Sequence, residues 1–144
     1  MEVKKIIAFV VIMAFLPLSC DITQYKRIGD THFYLLRPDW EGKGAHLYHD
    51  GGDPDPVGFF SIEHEGIVTD VYWNRQYVII KCIQSENDAT KYRYIMKNTE
   101  DYDWKELEVR QFLNVMDYKM AIDSLGLSEN KMEHTDGTIP WRIF

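Results

Sequence analysis

The sequence predicts an α+β domain, a mostly antiparallel β-meander of about six to seven strands with one C-terminal helix packed on it. Two observations lead to this prediction. Apolar residues recur with a period of two through most of residues 31–96, and turn-forming residues separate the segments. From residue 115 the period changes to that of a helix. A chain of 144 residues, 45% hydrophobic and 27% charged, has the balance of one globular domain.

The first 19 residues are predicted to lie outside this domain. Two lysines precede a charge-free run at residues 6–18, which is shorter than the roughly 20 residues that a helix needs to cross a bilayer. A basic start, a short apolar run and a small polar residue at its end are typical of a secretory signal peptide. We therefore expect a signal peptide at residues 1–19, a tether at residues 20–26 and a single globular domain at residues 27–144.

Residues 16–20, with the sequence Leu-Pro-Leu-Ser-Cys, resemble the lipobox of bacterial lipoproteins. The resemblance implies cleavage before Cys20, lipidation of Cys20 and anchoring in a membrane of the cell envelope, facing the periplasm or at the cell surface. Two or three acyl chains, at about 0.8 kcal/mol per buried CH₂, give durable anchoring. The alternative is plain signal-peptide cleavage that leaves Cys20 free or bonded to Cys82, the other cysteine of the chain.

Six segments carry the two-residue period of strands. They are residues 31–37, 45–49, 57–62, 67–73, 77–83 and 90–96. The fourth and fifth are the clearest pair, because the short connection at residues 74–76 is typical of a hairpin. Val78, Ile80 and Cys82 share one face of the fifth segment, which indicates that Cys82 is a small, buried hydrophobic residue.

The C-terminal helix is predicted from apolar residues three and four positions apart, namely Val115, Tyr118, Ile122 and Leu125. Asn114 is suited to cap its start and Gly126 to end it. Residues 104–113 combine a helix capping box with the alternation of a strand, so the sequence does not decide between helix and strand in this segment. Apolar residues alternate again at residues 139–143 and are expected to dock on the domain, at most as an edge strand because of the proline among them.

Part of this pattern resembles small uncharacterised bacterial lipoproteins. The matching features are the hairpin from Trp73, a Tyr-rich strand at residues 92–96, Leu113-Asn114 leading into Tyr118, and Leu-Gly-Leu at residues 125–127. The resemblance covers residues 67–127 and implies a similar hairpin and late helix. Those proteins have no known activity, so the resemblance implies no catalytic residue.

Histidines and carboxylates concentrate in the middle of the chain, where a metal site is the chemistry to consider. The group comprises His46, His49, Asp50, Asp53, Asp55 and His64. Because His46 and His49 are three residues apart, a strand places them on opposite faces. The pattern from Asp53 fails as a calcium loop, since Val57 and His64 stand at two of its ligand positions. We therefore expect a rigid surface turn and no metal site.

The aromatic content of 14% suggests sheet packing first and a recognition surface second. Trp73, Tyr92 and Tyr94 are the candidate binding surface for a sugar or a peptide. The alternative is that these rings are half-buried packing of the sheet.

No motif of a known catalytic class occurs in the sequence, which lacks Gly-x-Ser-x-Gly, His-Glu-x-x-His and Cys-x-x-Cys patterns. Two pairs of acids could serve in acid–base catalysis, namely Glu63 with Glu65 and Asp101 with Asp103. Both pairs are expected in exposed loops, which disfavours that role. A net charge of −7 argues against nucleic acid. We expect a lipid-anchored, non-enzymatic protein without a cofactor that binds an envelope protein or serves as an accessory subunit. A small ligand- or glycan-binding protein is the alternative, and an envelope hydrolase the third.

Overall fold

The computed structural model describes residues 24–37, 44–52, 60–100 and 107–139. Within these ranges, nine strands form two antiparallel sheets and one α-helix covers the second sheet. This arrangement confirms a mostly antiparallel α+β domain. The strand count is higher than the predicted six to seven, since two short polar strands were not expected. The predicted signal peptide and Cys20 lie outside the described residues.

The first sheet has the order β1-β2-β3-β4. Its strands are β1 (Gln24–Arg27), β2 (Phe33–Arg37), β3 (His46–His49) and β4 (Phe60–Ser61). β1 begins inside residues 20–26, which the sequence predicts as a tether, so the folded part begins by Gln24. The sequence of β1 has no apolar alternation, and its backbone is held by pairing with β2 from Gln24↔Arg37 to Arg27↔Tyr34. The predicted strand at residues 57–62 lies partly outside the described residues.

The second sheet has the order β8-β7-β6-β5-β9. Its strands are β5 (Ile67–Trp73), β6 (Tyr77–Ser85), β7 (Asp88–Lys97), β8 (Arg110–Phe112) and β9 (Glu133–Asp136). The predicted hairpin of β5 and β6 is confirmed, and the Asn74 side chain accepts backbone hydrogen bonds from Gln76 and Tyr77 at 2.8 Å each. β8 is a strand within the segment for which the sequence left helix and strand open.

The helix α1 (Val115–Ser124) begins and ends as predicted. Asn114 accepts a hydrogen bond from the Met116 amide at 2.7 Å, and Gly126 has the positive φ of 68° that ends many helices. α1 packs on the second sheet, which confirms the predicted docking of this helix. A buried cluster joins them, formed by Ile79, Ile95, Tyr118, Ala121 and Leu127. A short 3₁₀ turn, Glu129–Lys131, connects α1 to β9.

The main core lies between the two sheets. Its buried members include Ile28, Phe33, Leu35, Leu47, Val71, Val78, Ile80, Cys82, Tyr94, Met96 and Ile139. A backbone bridge between Ala45 and Val68 links the first sheet to the second at one corner. Ile139 docks as predicted, whereas Trp141 and Ile143 lie outside the described residues. In the part of the chain that the structure describes, no helix combines the length and apolar character that crossing a bilayer requires.

Candidate functional site

The predicted group of histidines and aspartates divides between two places. His49 is buried, and its Nδ1 accepts the Gly51 amide at 2.9 Å, so its Nε2 donates to the Thr99 carbonyl at 2.9 Å. The His46 ring instead stacks on His64, with ring centroids 5.4 Å apart. The predicted opposite orientation of His46 and His49 is therefore confirmed.

The described residues contain no group of three or more His, Cys, Asp or Glu side chains placed to hold a metal. Asp53 and Asp55, which belong to the predicted group, lie outside the described residues. Asp50 is described and has a different partner. Its buried carboxylate contacts Nδ1 of His32 at 2.9 and 3.1 Å and accepts the Gly52 amide at 2.8 Å.

The His32–Asp50 pair was missed at the sequence level, because strand pairing brings together residues that are 18 positions apart. A carboxylate that orients a histidine is the arrangement of a general base. Catalysis of that type also needs a nucleophile or a positioned water. Within the described ranges, His32 has no hydrogen bond to a hydroxyl or thiol side chain. The pair therefore anchors the turn after β3.

A second pair joins His64 to the thiol of Cys82. The Leu47 amide donates to Nε2 of His64 at 3.0 Å, so Nδ1 carries the hydrogen and lies 3.8 Å from Sγ of Cys82. Burial, with a smaller effect of His46, lowers the pKa of His64 to about 4. Burial also raises the pKa of the Cys82 thiol to about 12. Both groups are neutral at pH 7, so this pair contains no thiolate nucleophile.

Cys82 is the buried residue that its strand position predicts. It is 1% exposed within the inter-sheet core and is a free thiol. Cys20, the other cysteine of the disulfide alternative, lies outside the described residues.

The predicted aromatic surface is corrected by the burial of its members. Trp73 and Tyr94 are 7% and 3% exposed, and both belong to the inter-sheet core. Tyr92 is half-buried and packs against the edge of that core. These rings point into the sandwich because they share the inner face of the second sheet, so sheet packing accounts for them.

A cavity of about 1030 Å³ opens beside Tyr94. Among the described residues its lining consists of Ser61, Ile62, Glu63, His64, Glu65, Tyr94, Leu107, Val109 and Gln111. The Glu65 amide donates to the Tyr94 hydroxyl at 2.7 Å, which fixes the acidic segment against β7. Glu63 and Glu65 are exposed, as the sequence predicts, yet they border a concave site. The cavity was missed because its walls come from three separate stretches of sequence.

The second notable surface lies on α1 and is called here the α1 outer surface. It consists of Val115, Met116 and Met120 of α1 and of Leu113, which precedes the Asn114 cap, and these four side chains are 55–64% exposed. Met116 and Met120 are one helical turn apart, whereas Tyr118 and Ala121 face the sheet. The periodicity predicted that Val115 lies on the buried side of the helix, and this is wrong, since Val115 is 55% exposed. Tyr118 is the first residue of α1 that is buried against the sheet. Grouped, exposed apolar side chains are typical of interaction sites.

Comparisons with protein families, curated proteins and solved structures found no match to this chain. The lipobox resemblance at residues 16–20 and the lipoprotein resemblance across residues 67–127 therefore stay predictions.

Proposed function

We propose that this chain is a lipid-anchored protein of the bacterial cell envelope whose folded domain binds another envelope protein without catalysing a reaction. The observation that carries the binding role is the α1 outer surface. Acyl groups on Cys20 hold the chain at the membrane in this proposal. The partner is a protein, because apolar side chains on a helix suit a groove on another folded domain.

The side chains of the α1 outer surface have the properties of an interface. Met116 and Met120 are unbranched and polarisable, so they adapt to an irregular partner surface. They lie one helical turn apart on α1, as neighbouring anchors of a helix that docks in a groove do. Exposing four large apolar side chains to water is unfavourable, and covering them with a partner removes that cost.

The helix is presented on a fixed base. The Tyr118 hydroxyl donates to Glu129, and the Lys81 ammonium contacts the other oxygen of that carboxylate at 2.8 Å. The Arg93 guanidinium lies over the Tyr118 ring, 5.5 Å from its centroid. These contacts tie α1 to β6 and β7, so the outer surface is pre-organised for binding and loses little entropy when a partner docks.

The proposed anchor places the domain close to the membrane. Three residues separate Cys20 from Gln24, the first residue of β1. Four residue steps span at most about 14 Å, even when fully extended. A partner of the α1 outer surface would therefore be a membrane protein or another protein held at the same membrane.

The anchor is tested on the membrane fraction of cells that express the full chain. Mass spectrometry of the N-terminal peptide should give a mass for residues from Cys20 onward with acyl groups attached. A Cys20→Ser chain should leave the membrane fraction. Equal membrane retention of both chains, with an unmodified Cys20 peptide, would refute the anchor.

The binding role is tested by purification of the full chain from solubilised membranes, in parallel with a Met116→Lys, Met120→Lys chain. A Gln76→Lys, Asn87→Lys chain is the matched control, because it adds the same charge at exposed positions outside the α1 outer surface. We expect the same co-purifying protein with the parent and the control and its loss with the methionine variant. Co-purification that is unchanged by the methionine substitutions would contradict the role of this surface.

A second candidate function is the binding of a small ligand, and the cavity beside Tyr94 is the observation that favours it. Its volume of about 1030 Å³ is at the upper end of ordinary ligand sites, which hold roughly 300–1000 Å³. A glycan fits the cavity less well, because sugars stack on exposed aromatic faces and Tyr94 is only 3% exposed.

A further inference from the structure

The first sheet has a face that the inter-sheet core does not use. Phe33, Leu35 and Leu47 belong to that core, so the residues that alternate with them on β2 and β3 point away from the second sheet. Among the described residues no helix packs on this face, because α1 covers the second sheet. We call it the first-sheet outer surface, and its tyrosines are Tyr25, Tyr34 and Tyr48.

The three tyrosines occupy neighbouring strands. Tyr34 lies directly opposite Tyr48 across β2 and β3, and the rings of Tyr25 and Tyr34 have centroids 6.2 Å apart. Tyr25 is 47% exposed, whereas Leu36, opposite it on β2, is only 6% exposed. The accessible part of this surface is therefore formed by rings. Tyrosine combines an apolar ring with a polar hydroxyl and is enriched where a protein meets the interface of a membrane with water.

The first sheet also differs in charge from the rest of the chain. Its four strands contain three basic residues and no acidic residue, although the net charge of the whole chain is −7. Arg27 lies on the outer surface, with its guanidinium 5.9 Å from the centroid of the Tyr34 ring. The acids at the strand ends are Asp30, in the turn after β1, and Asp50, which is 4% exposed and contacts His32. A positive charge beside the tyrosines suits anionic headgroups.

The position of the proposed anchor favours lipid as the occupant of this surface. Tyr25 is the fifth residue after Cys20, so at most about 18 Å of extended chain separates the two. A small folded domain is about 30 Å across, which is more than this tether spans. Another protein would not fit between the membrane and β1, whereas headgroups at the membrane surface are within reach of Tyr25.

We propose that the first-sheet outer surface lies against the lipid headgroups of the membrane, with Tyr25 at headgroup level and Arg27 beside the phosphates of anionic lipids. This inference rests on the proposed anchor at Cys20 and adds the orientation of the anchored domain. Packed sheets lie about 10 Å apart, and α1 lies beyond the second sheet. The α1 outer surface is therefore on the side away from the membrane, and its partner approaches from the water.

Paramagnetic broadening of NMR signals tests this orientation. The chain purified from membranes is placed in nanodiscs of phosphatidylethanolamine and phosphatidylglycerol that include a lipid with a gadolinium-chelating headgroup. We expect loss of the amide signals of Tyr25, Tyr34 and Tyr48, and retention of those of Met116 and Met120. Retained tyrosine signals, or equal loss at all five positions, would overturn the proposal.

The anchor is measured separately in the same sample, by the mass of the N-terminal peptide. An unmodified Cys20 would refute the proposed anchor, and this inference with it. An acylated chain without selective loss of the tyrosine signals would refute the orientation alone. A photo-crosslinking amino acid at position 25 should give lipid adducts in intact membranes. A protein adduct there would assign this surface to a protein partner and overturn the proposal.

Charge variants locate the contact with anionic lipid. Arg27→Gln should weaken the contact about fivefold, so that the lost tyrosine signals return in part. Arg75→Gln is the matched control, since it removes the same charge from an exposed position in the turn between β5 and β6. Arg27 also donates to the Thr31 carbonyl at 2.9 Å, so Arg27→Lys keeps the charge without this guanidinium geometry and should behave as the parent does. Equal return of the signals in Arg27→Gln and in either other variant would contradict the contact.

Discussion

The two faces of the second sheet are covered in different ways. The inner face is covered by the first sheet, and β6 contributes Val78, Ile80 and Cys82 to that apolar layer. The outer face is covered by α1, and there β6 contributes Ile79 and Lys81. The His64–Cys82 pair on the inner side is neutral at pH 7, whereas Lys81 and Glu129 on the outer side form an ion pair.

This difference shows which parts of the molecule are free to bind. The first sheet covers the inner face but leaves the cavity at its open end. α1 covers the outer face with its inner side and exposes Met116 and Met120 on its outer side. The contacts among Lys81, Glu129 and Tyr118 fix the position of α1 on the sheet. The backbone at Met116 and Met120 is therefore fixed although their side chains are exposed.

Removing one buried isoleucine from either face should give the largest loss of stability. Ile79 and Ile80 are adjacent and both 0% exposed. Ile79 packs in the cluster beneath α1, and Ile80 packs in the core between the two sheets. We expect Ile79→Ala and Ile80→Ala each to lower the free energy of unfolding by about 2–5 kcal/mol. Urea denaturation measures the loss, and amide exchange should accelerate in α1 more for Ile79→Ala. Equal acceleration of amide exchange in α1 by both variants would contradict the view that Ile79 supports α1 and Ile80 supports the core between the sheets.

Acid should weaken the inner face through His64. Its pKa falls from 6.5 to about 4 on folding, so the unfolded chain binds a proton that the folded chain resists. The stabilising contribution of neutral His64 is therefore complete above pH 6.5 and is lost as the pH falls toward 4. We expect a loss of about 2–3 kcal/mol at pH 4.

Denaturation midpoints between pH 7 and 4 measure this effect. A His64→Gln chain, which has no titrating imidazole at this position, should show a flatter pH dependence than the parent. His134→Gln is the control, because His134 is exposed and pairs with Asp70 at the surface. If both variants retained the parent pH dependence, His64 would not be the responsible group.

The outer face should depend on the hydrogen bond from Tyr118 to Glu129. Burial raises the pKa of Glu129, but the hydrogen bonds from Lys81 and Tyr118 outweigh it, so the net direction is a lowered pKa and a charged carboxylate. Tyr118→Phe removes one of these donors and should lower the free energy of unfolding by about 1–2 kcal/mol. Urea denaturation measures the change. A Tyr72→Phe chain is the comparison, and an equal loss there would contradict a specific role of Tyr118.

The smallest effect on stability is expected at the α1 outer surface. Met116→Lys with Met120→Lys should change the free energy of unfolding by less than about 0.5 kcal/mol, because these side chains do not contribute to the core. Thermal denaturation of the full chain measures it. A loss comparable to that of Ile79→Ala would mean that the methionines support the fold, and would remove the argument that they serve a partner.

The sequence predicts the parts of the fold in which local pattern and tertiary packing agree. The hairpin of β5 and β6 alternates with a period of two around Asn74, and α1 has its cap at Asn114 and its stop at Gly126. Both sets of signals are local, so they can be read without knowledge of the rest of the chain.

β1 and β9 were not predicted because their sequences, QYKR and EHTD, are polar. They form at the edges of the two sheets, where backbone hydrogen bonds to the neighbouring strand hold them in place. Lys26 joins them, since its ammonium donates to the Thr135 hydroxyl at 3.0 Å and to the Asp136 carbonyl at 2.9 Å. These contacts join residues that are 109 and 110 positions apart, so no local pattern in the sequence predicts them.

The candidate sites were harder to predict than the fold. The sequence leaves Tyr94 open as a surface ring or as sheet packing, and the structure places it in the core, where its hydroxyl accepts a hydrogen bond from the Glu65 amide. The cavity depends on the meeting of three distant segments. Predicting the α1 outer surface requires knowing which side of the helix the sheet covers. Periodicity alone assigned Val115 to the covered side, but it is 55% exposed.

The central proposal is that the α1 outer surface binds an envelope protein. It is tested most directly by placing a photo-crosslinking amino acid at position 120 of the full chain in intact membranes, with position 87 as the exposed control. We predict one protein adduct of defined mass from position 120 and none from position 87. Absence of an adduct at position 120, or the same adducts from both positions, would contradict the account.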